Sequence, residues 1–167
     1  MHIRYLLSYF FNNLRVLTRE TVLNKPAEEV FSFFADAANL ELITPPELEF
    51  RIITPLPIKM EKGTLIDYRI RLNGIPFNWK TEITEWEPPY RFVDTQLKGP
   101  YRIWIHEHTF TTSGIGTIMR DVVSYLPPGR IFEPVISSLF VRKKLERIFD
   151  YRHEKIKTIF NNRQDPD

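Results

Sequence analysis

No cysteine occurs among the 167 residues. Disulfides, thiolate nucleophiles and cysteine-ligated metals are therefore excluded, and the composition suits a cytoplasmic setting. Glycine is scarce. Gly74, Gly99 and Gly116 read as turn residues, and no glycine-rich phosphate loop surrounds them. No apolar run reaches the roughly 18 residues that a spanning helix needs. No charge of one sign dominates either. The 23 basic and 21 acidic residues leave +2, too even for a general nucleic-acid binder, so no nucleic-acid partner is expected. The first fourteen residues are apolar but short, and lack a small-residue cleavage site, so no signal peptide is expected. Repeats and low-complexity segments are absent as well.

What is abundant is aromatic: 13 Phe, 7 Tyr and 3 Trp. One domain of this length with so many rings either packs bulky layers or lines a cavity with some of them.

Hydrophobic periodicity divides the chain. Ile3, Leu6, Leu7, Phe10, Phe11 and Leu14 recur at helical spacing and predict an amphipathic helix over 1–14. Arg15 to Leu23 reads as a strand. Asn24 is expected to cap the next helix, with Pro26 in its first turn. Val30, Phe33, Phe34 and Ala37 share one side of it. A second short turn starts at Asp36 or Asn39 and ends at Thr44-Pro45-Pro46. From Leu48 the period becomes two. Strands are expected from Leu48 to Ile53, Thr64 to Leu72, Ile75 to Trp86, Tyr90 to Leu97, Tyr101 to Thr112 and Thr117 to Leu126. Asn73-Gly74 is a two-residue hairpin turn. After Pro134 the helical period returns. Val135, Ile136, Leu139, Phe140, Leu145, Ile148, Phe149, Ile156, Ile159 and Phe160 form one apolar stripe. Arg142, Lys143, Lys144, Arg147 and Arg152 are assigned to the solvated remainder.

A long helix with one apolar stripe must bury it, and a sheet is the only partner large enough. The fold class is therefore α+β. A curved seven-stranded antiparallel sheet wraps a long C-terminal helix. Two short helices follow the first strand, and an extra helix precedes it. The expected units are the N-terminal helix 1–14, a domain over 15–162 and a polar tail over 163–167. The 1–14 helix offers a possible peripheral membrane or protein contact, though only Arg4 and Arg15 could attract lipid headgroups.

This order of elements is the helix-grip arrangement. The residues also resemble a family, the polyketide cyclase/dehydrase-like branch of the START-like, or SRPBCC, superfamily. The likeness runs from about Arg15 to Arg152. It rests on Pro26-Ala-Glu-Glu-Val-Phe, Leu42-Ile-Thr-Pro-Pro, Tyr90-Arg-Phe-Val-Asp, Gly99-Pro-Tyr-Arg-Ile-Trp-Ile-His-Glu-His-Thr-Phe and Gly116-Thr-Ile-Met-Arg-Asp. The resemblance implies binding of lipids, polyketides, quinones or hormones, and in some members cyclisation or dehydration.

Alternation along strands places Trp104, His106, His108 and Phe110 on one face. A tight turn at Ser113–Gly116 sets Phe110 opposite Met119, His108 opposite Asp121, His106 opposite Val123 and Trp104 opposite Tyr125. Phe92, Asp94 and Gln96 form the matching set on the neighbouring strand. The expected pocket is therefore lined by Tyr68, Trp79, Phe92, Asp94, Gln96, Trp104, His106, His108, Asp121 and Tyr125, and holds a hydrophobic small molecule. Three readings of its polar residues stay open. They satisfy one another, with His108 bonded to Asp121. They orient a guest. Or His106, His108 and Asp121 act as acid and base in a cyclase or dehydratase. No serine with an adjacent base is evident, so acyl-enzyme chemistry is disfavoured. His106, His108 and Asp121 fall short of a four-ligand zinc sphere, so no metal and no cofactor is expected.

Overall fold

The computed structural model describes residues 14–127 and 138–161. The expected 1–14 helix (apart from Leu14), the stripe positions Val135 and Ile136, and the polar tail lie outside them. Seven strands form one antiparallel sheet: β1 Arg15–Leu23, β2 Arg51–Ile52, β3 Leu65–Leu72, β4 Ile75–Glu87, β5 Arg91–Lys98, β6 Ile103–Ser113 and β7 Gly116–Leu126. Their order across the sheet is β1-β7-β6-β5-β4-β3-β2. Helix α1, Ala27–Ala35, follows β1, and helix α2, Ser138–Asn161, closes the described chain. This is the helix-grip fold.

Strand alternation decides what the sheet buries. Trp104, His106, His108 and Phe110 of β6 are buried, as are Met119, Asp121, Val123 and Tyr125 opposite them on β7. The paired register is the one the turn predicts. Asn73 and Gly74 adopt positive φ, as a two-residue hairpin with primed-turn geometry requires. Register shifts in β4 between Lys80 and Thr81 and between Ile83 and Glu85 bend the sheet over the helices.

Two expectations fail locally. Leu48 to Ile53 does not form one strand. Pro46–Leu48 is a 3-10 turn, Glu49 sits in the left-handed region at φ 42°, and only Arg51–Ile52 pairs with β3. Two prolines without N–H groups start that turn, and it swings Leu48 into the core. Asn24 does not cap α1. Pro26 holds the cap position without a side-chain bond, and the Asn24 backbone N–H donates to Asn161 Oδ1 at the end of α2. Asp36 does cap the short turn Ala37–Leu40, accepting from the Ala38 N–H.

The core has two halves. One joins Leu23, Val30, Phe31, Phe34, Phe110, Met119, Ile156 and Phe160. The other joins Leu17, Ile70, Trp79, Trp104, Val123, Leu145 and Phe149. Helix α2 spans both, and Arg19 to Asp150 and Thr21 to His153 fasten it to β1. Two residues of the expected stripe, Leu139 and Phe140, are half exposed.

Gly116 opens β7 at φ 134°, and a Cβ there would fall on the carbonyl oxygen of Leu23. Gly116→Ala is therefore expected to cost about 1–3 kcal/mol from backbone conformation alone, lowering the melting temperature by roughly 2–12 °C. Gly114, two residues earlier, has open space around it. Gly114→Ala is the control, and equal losses in thermal melts would contradict the assignment.

Candidate functional site

Between the two core halves lies a partly open cavity of about 160 Å³. Walls from the sheet include Ile70, Tyr68, Trp79, Phe92 and Trp104, and α2 adds Leu145, Ile148 and Phe149. The rings support one another: Trp79 meets Trp104 edge-on at 5.3 Å and stacks on Tyr68 at 5.7 Å. Such packing fixes the wall geometry largely through shape, with the Tyr68 hydroxyl also hydrogen-bonded to Thr81 at 3.0 Å.

One part of the wall is polar. Asp94 of β5, His106 and His108 of β6 and Arg152 of α2 all line the cavity, and Asp121 of β7 stands behind the histidines. Each imidazole lies between the two carboxylates. His106 presents Nε2 to Asp121 Oδ1 at 2.9 Å and Nδ1 to Asp94 Oδ2 at 3.5 Å. His108 is turned the other way, with Nε2 at 3.1 Å from Asp94 Oδ2 and Nδ1 at 2.8 Å from Asp121 Oδ1. That last approach is out of line for a directed hydrogen bond and acts as an electrostatic contact. The rings are 3.8 Å apart, and Phe92 stacks on His108 at 4.1 Å.

Two imidazoles this close do not both hold a proton readily. Burial, with His108 adding to it, pushes the pKa of His106 down. Burial also opposes charge on His108, but Asp121 and then Asp94 outweigh it and raise its pKa above the ordinary imidazole value. Burial would raise both carboxyls. For Asp121, the Arg152 charge, the His106 hydrogen bond and the close His108 ring reverse this and hold it well below the usual range. For Asp94, the histidines do the same, more weakly. These directions place a proton shared by the pair on His108 before His106.

Arg152 is the cavity residue that the sequence reading misplaced. Its side chain is 11% exposed. Nε lies 3.6 Å from Asp121 Oδ2, beyond hydrogen-bond reach, and Nε and Nη2 have no partner. The guanidinium packs over the Phe34 ring at 5.4 Å. A signal for it existed. The buried positions Leu145, Phe149, Ile156 and Phe160 leave a step of seven positions from 149 to 156, and helical spacing puts 152 inside it.

Of the ten expected pocket residues, Tyr68, Trp79, Phe92, Asp94, Trp104, His106 and His108 line the cavity. Three do not. Gln96 turns its amide onto the backbone of the β5–β6 turn, where Nε2 donates to the Tyr101 carbonyl at 2.7 Å. Tyr125 is buried in the core beside Leu145 and Phe149. Asp121 supports the histidines from behind. The expected His108–Asp121 pair is one contact in a larger cluster. Tyr101, Phe34 and Phe50 also line the cavity. Tyr101 was expected to start a strand on the face opposite Trp104, but β6 begins at Ile103 and Tyr101 projects from the turn before it.

The chain was compared with known proteins. No curated protein matches it. Among solved structures, a Chromobacterium violaceum protein superposes with a TM-score of 0.67 at 16% identity, covering 93% of this chain and 99% of that one. The Zhui aromatase/cyclase from Streptomyces sp. R1128 gives 0.68 at 13% identity, over 87% and 96%. Ara h 8.0201 gives 0.62 at 9% identity, over 90% and 99%. At these identities the likeness is one of fold. Among the described residues, no helix is long and apolar enough to cross a membrane. Residues 23–148 match the family described as polyketide cyclase / dehydrase and lipid transport. That match spans most of the sheet, the cavity wall and the start of α2, and the chain belongs to this family.

Proposed function

We propose that the protein binds an apolar small molecule bearing one oxygen-rich end, held in the cavity between sheet and α2. The observation that supports this most is the aromatic cavity with its ionisable Asp94, His106, His108 and Arg152 gathered on one part of the wall. Apolar walls supply affinity and a few polar groups supply orientation. A cavity near 150 Å³ accommodates a benzene-sized guest without rearrangement. Larger lipids, polyketides or quinones would need the side chains of α2 to move outward.

The test is native mass spectrometry and organic extraction of the purified chain, followed by thermal shift with ring-sized and polycyclic probes. A guest at a hundred times its Kd stabilises by about 2.7 kcal/mol. That is a rise of roughly 5–11 °C for a domain this size. If nothing co-purifies and no probe raises the melting temperature, the proposal fails.

A second reading rests on the His–Asp contacts. An imidazole poised between carboxylates can move a proton on a bound guest, as a cyclase or dehydratase requires. His106, His108 and Asp121 would carry it, with Asp121 as a positioning residue. The same extraction distinguishes the two. A probe returned intact supports carriage, and one returned lighter by a water supports catalysis.

A further inference from the structure

We infer that Asp94, His106 and His108 form a site for a divalent first-row transition ion, open toward the cavity and backed by Asp121. One donor atom from each of the three lies within 4.8 Å of the others. Asp94 Oδ2 is 3.1 Å from His108 Nε2 and 3.5 Å from His106 Nδ1. Ligands about 2.0–2.1 Å from a tetrahedral zinc ion stand about 3.3 Å from one another. The two distances bracket that edge.

The second observation is what lies on the far side of the rings. Metal-bound histidines usually give their other nitrogen to a carboxylate, which fixes ring orientation. Here His106 Nε2 hydrogen-bonds Asp121 Oδ1 at 2.9 Å, and His108 Nδ1 stands 2.8 Å from the same oxygen, out of line but needing only a small ring rotation to bond it. The donor side lines the cavity and the supporting carboxylate does not. The sequence pattern suggested Asp121 as the third ligand and found no fourth. The structure exchanges the roles. Asp94 is on the ligand side, Asp121 is on the outer side, and the missing fourth ligand leaves a position that a cavity guest can fill. Two histidines and one carboxylate with open positions is the donor set of catalytic rather than structural centres.

Charge supports a definite class of guest. Two carboxylates, Arg152 and a divalent ion sum to +1 when both imidazoles are neutral ligands. An anionic oxygen on the guest, such as an enolate, phenolate or carboxylate, would neutralise the site in an apolar cavity. The metal inference itself does not depend on any guest being bound.

The experiment uses the full chain, stripped with EDTA and titrated with Co²⁺ while the visible d–d bands are recorded. One saturating equivalent is expected. Asp94→Asn, His106→Ala and His108→Ala should each abolish the bands, Asp121→Asn should weaken binding about 10–100-fold, and His153→Ala, whose ring bonds Thr21 of β1 outside the cavity, should leave the bands unchanged. Should a variant fail to fold, the wild type decides alone. On adding Zn²⁺, imidazole ¹⁵N spectra should shift Nδ1 of His106 and Nε2 of His108. No saturable binding in the wild type would overturn the inference. So would shifts on any other nitrogen pair.

Discussion

Asp121→Ala is expected to cost about 3–5 kcal/mol of stability, the penalty for leaving buried charge without its partner. For a domain of this length that lowers the melting temperature by roughly 6–20 °C. The expectation follows from who uses the carboxylate. His106 bonds Oδ1, His108 leans on the same oxygen, and Arg152 faces Oδ2 from α2. Asp121 is 5% exposed, so water cannot take over these roles. Its removal strands the guanidinium, whose Nε and Nη2 already lack hydrogen bonds. The surface pair Arg19–Asp150 fastens the same helix with a shorter 2.8 Å contact. Asp150 is largely exposed, so Asp150→Ala should cost less than about 1 kcal/mol. Distance alone would rank the two pairs the other way. Burial reverses the ranking, because the cost arises from desolvated charge and not from the contact. A further consequence is non-additivity. In the Asp121→Ala background, Arg152→Met removes the stranded cation and should restore part of the loss. Metal-free melts of the two single variants and the double variant check this. Strictly additive costs would show that Asp121 and Arg152 do not act as one unit.

The same residues show how far the chain's pattern could be read. Register was legible because the side-chain period of a strand is two. Once the Ser113–Gly116 turn was tight, every pair from Thr112–Thr117 to Trp104–Tyr125 followed. Face assignment was legible because Trp, Phe and Met crowd one side. The interior of the cluster was less so. Alternation gives a face, not a direction along it. Asp94, Gln96 and Asp121 therefore looked equivalent, although one points into the cavity, one folds back on a turn and one stands behind a ring. Hairpin pairing placed His108 opposite Asp121. It could not show that His106, paired with Asp94 across β5 and β6, would reach Asp121 by its other nitrogen. Arg152 was hidden by its chemistry. A cation on an exposed-looking helix is usually solvated, and only the gap in the stripe argued otherwise. Leu48 to Ile53 was misread for a local reason, since the prolines before it favour a turn that composition alone does not distinguish from a strand start.

Arg152 also carries the sharpest expectation about the guest. It brings a positive charge to the cavity wall, its nearest carboxylate is Asp121 at 3.6 Å with Asp94 also within its field, and its Nε and Nη2 are left without hydrogen bonds among the described residues. A guest carboxylate or phenolate reaching it gains a charge-assisted bond of about 1.5–3 kcal/mol. At 1.4 kcal/mol per decade, Arg152→Met should weaken an oxyanionic guest by roughly 10–150-fold. Methionine keeps much of the length and fills the space beside Phe34, so the apolar part of the cavity is retained. A neutral hydrocarbon of the same ring size should therefore bind Arg152→Met as well as it binds the wild type. Benzoate and toluene form a suitable pair for a cavity of about 160 Å³. Their affinities, read by calorimetry near pH 6 without metal, give a ratio that is insensitive to general loosening of the fold. A large fall for benzoate alone places the oxygen-bearing end of the guest at α2. Equal falls for both would reduce Arg152 to a packing role, and no change for either would put the guest's polar end elsewhere on the wall.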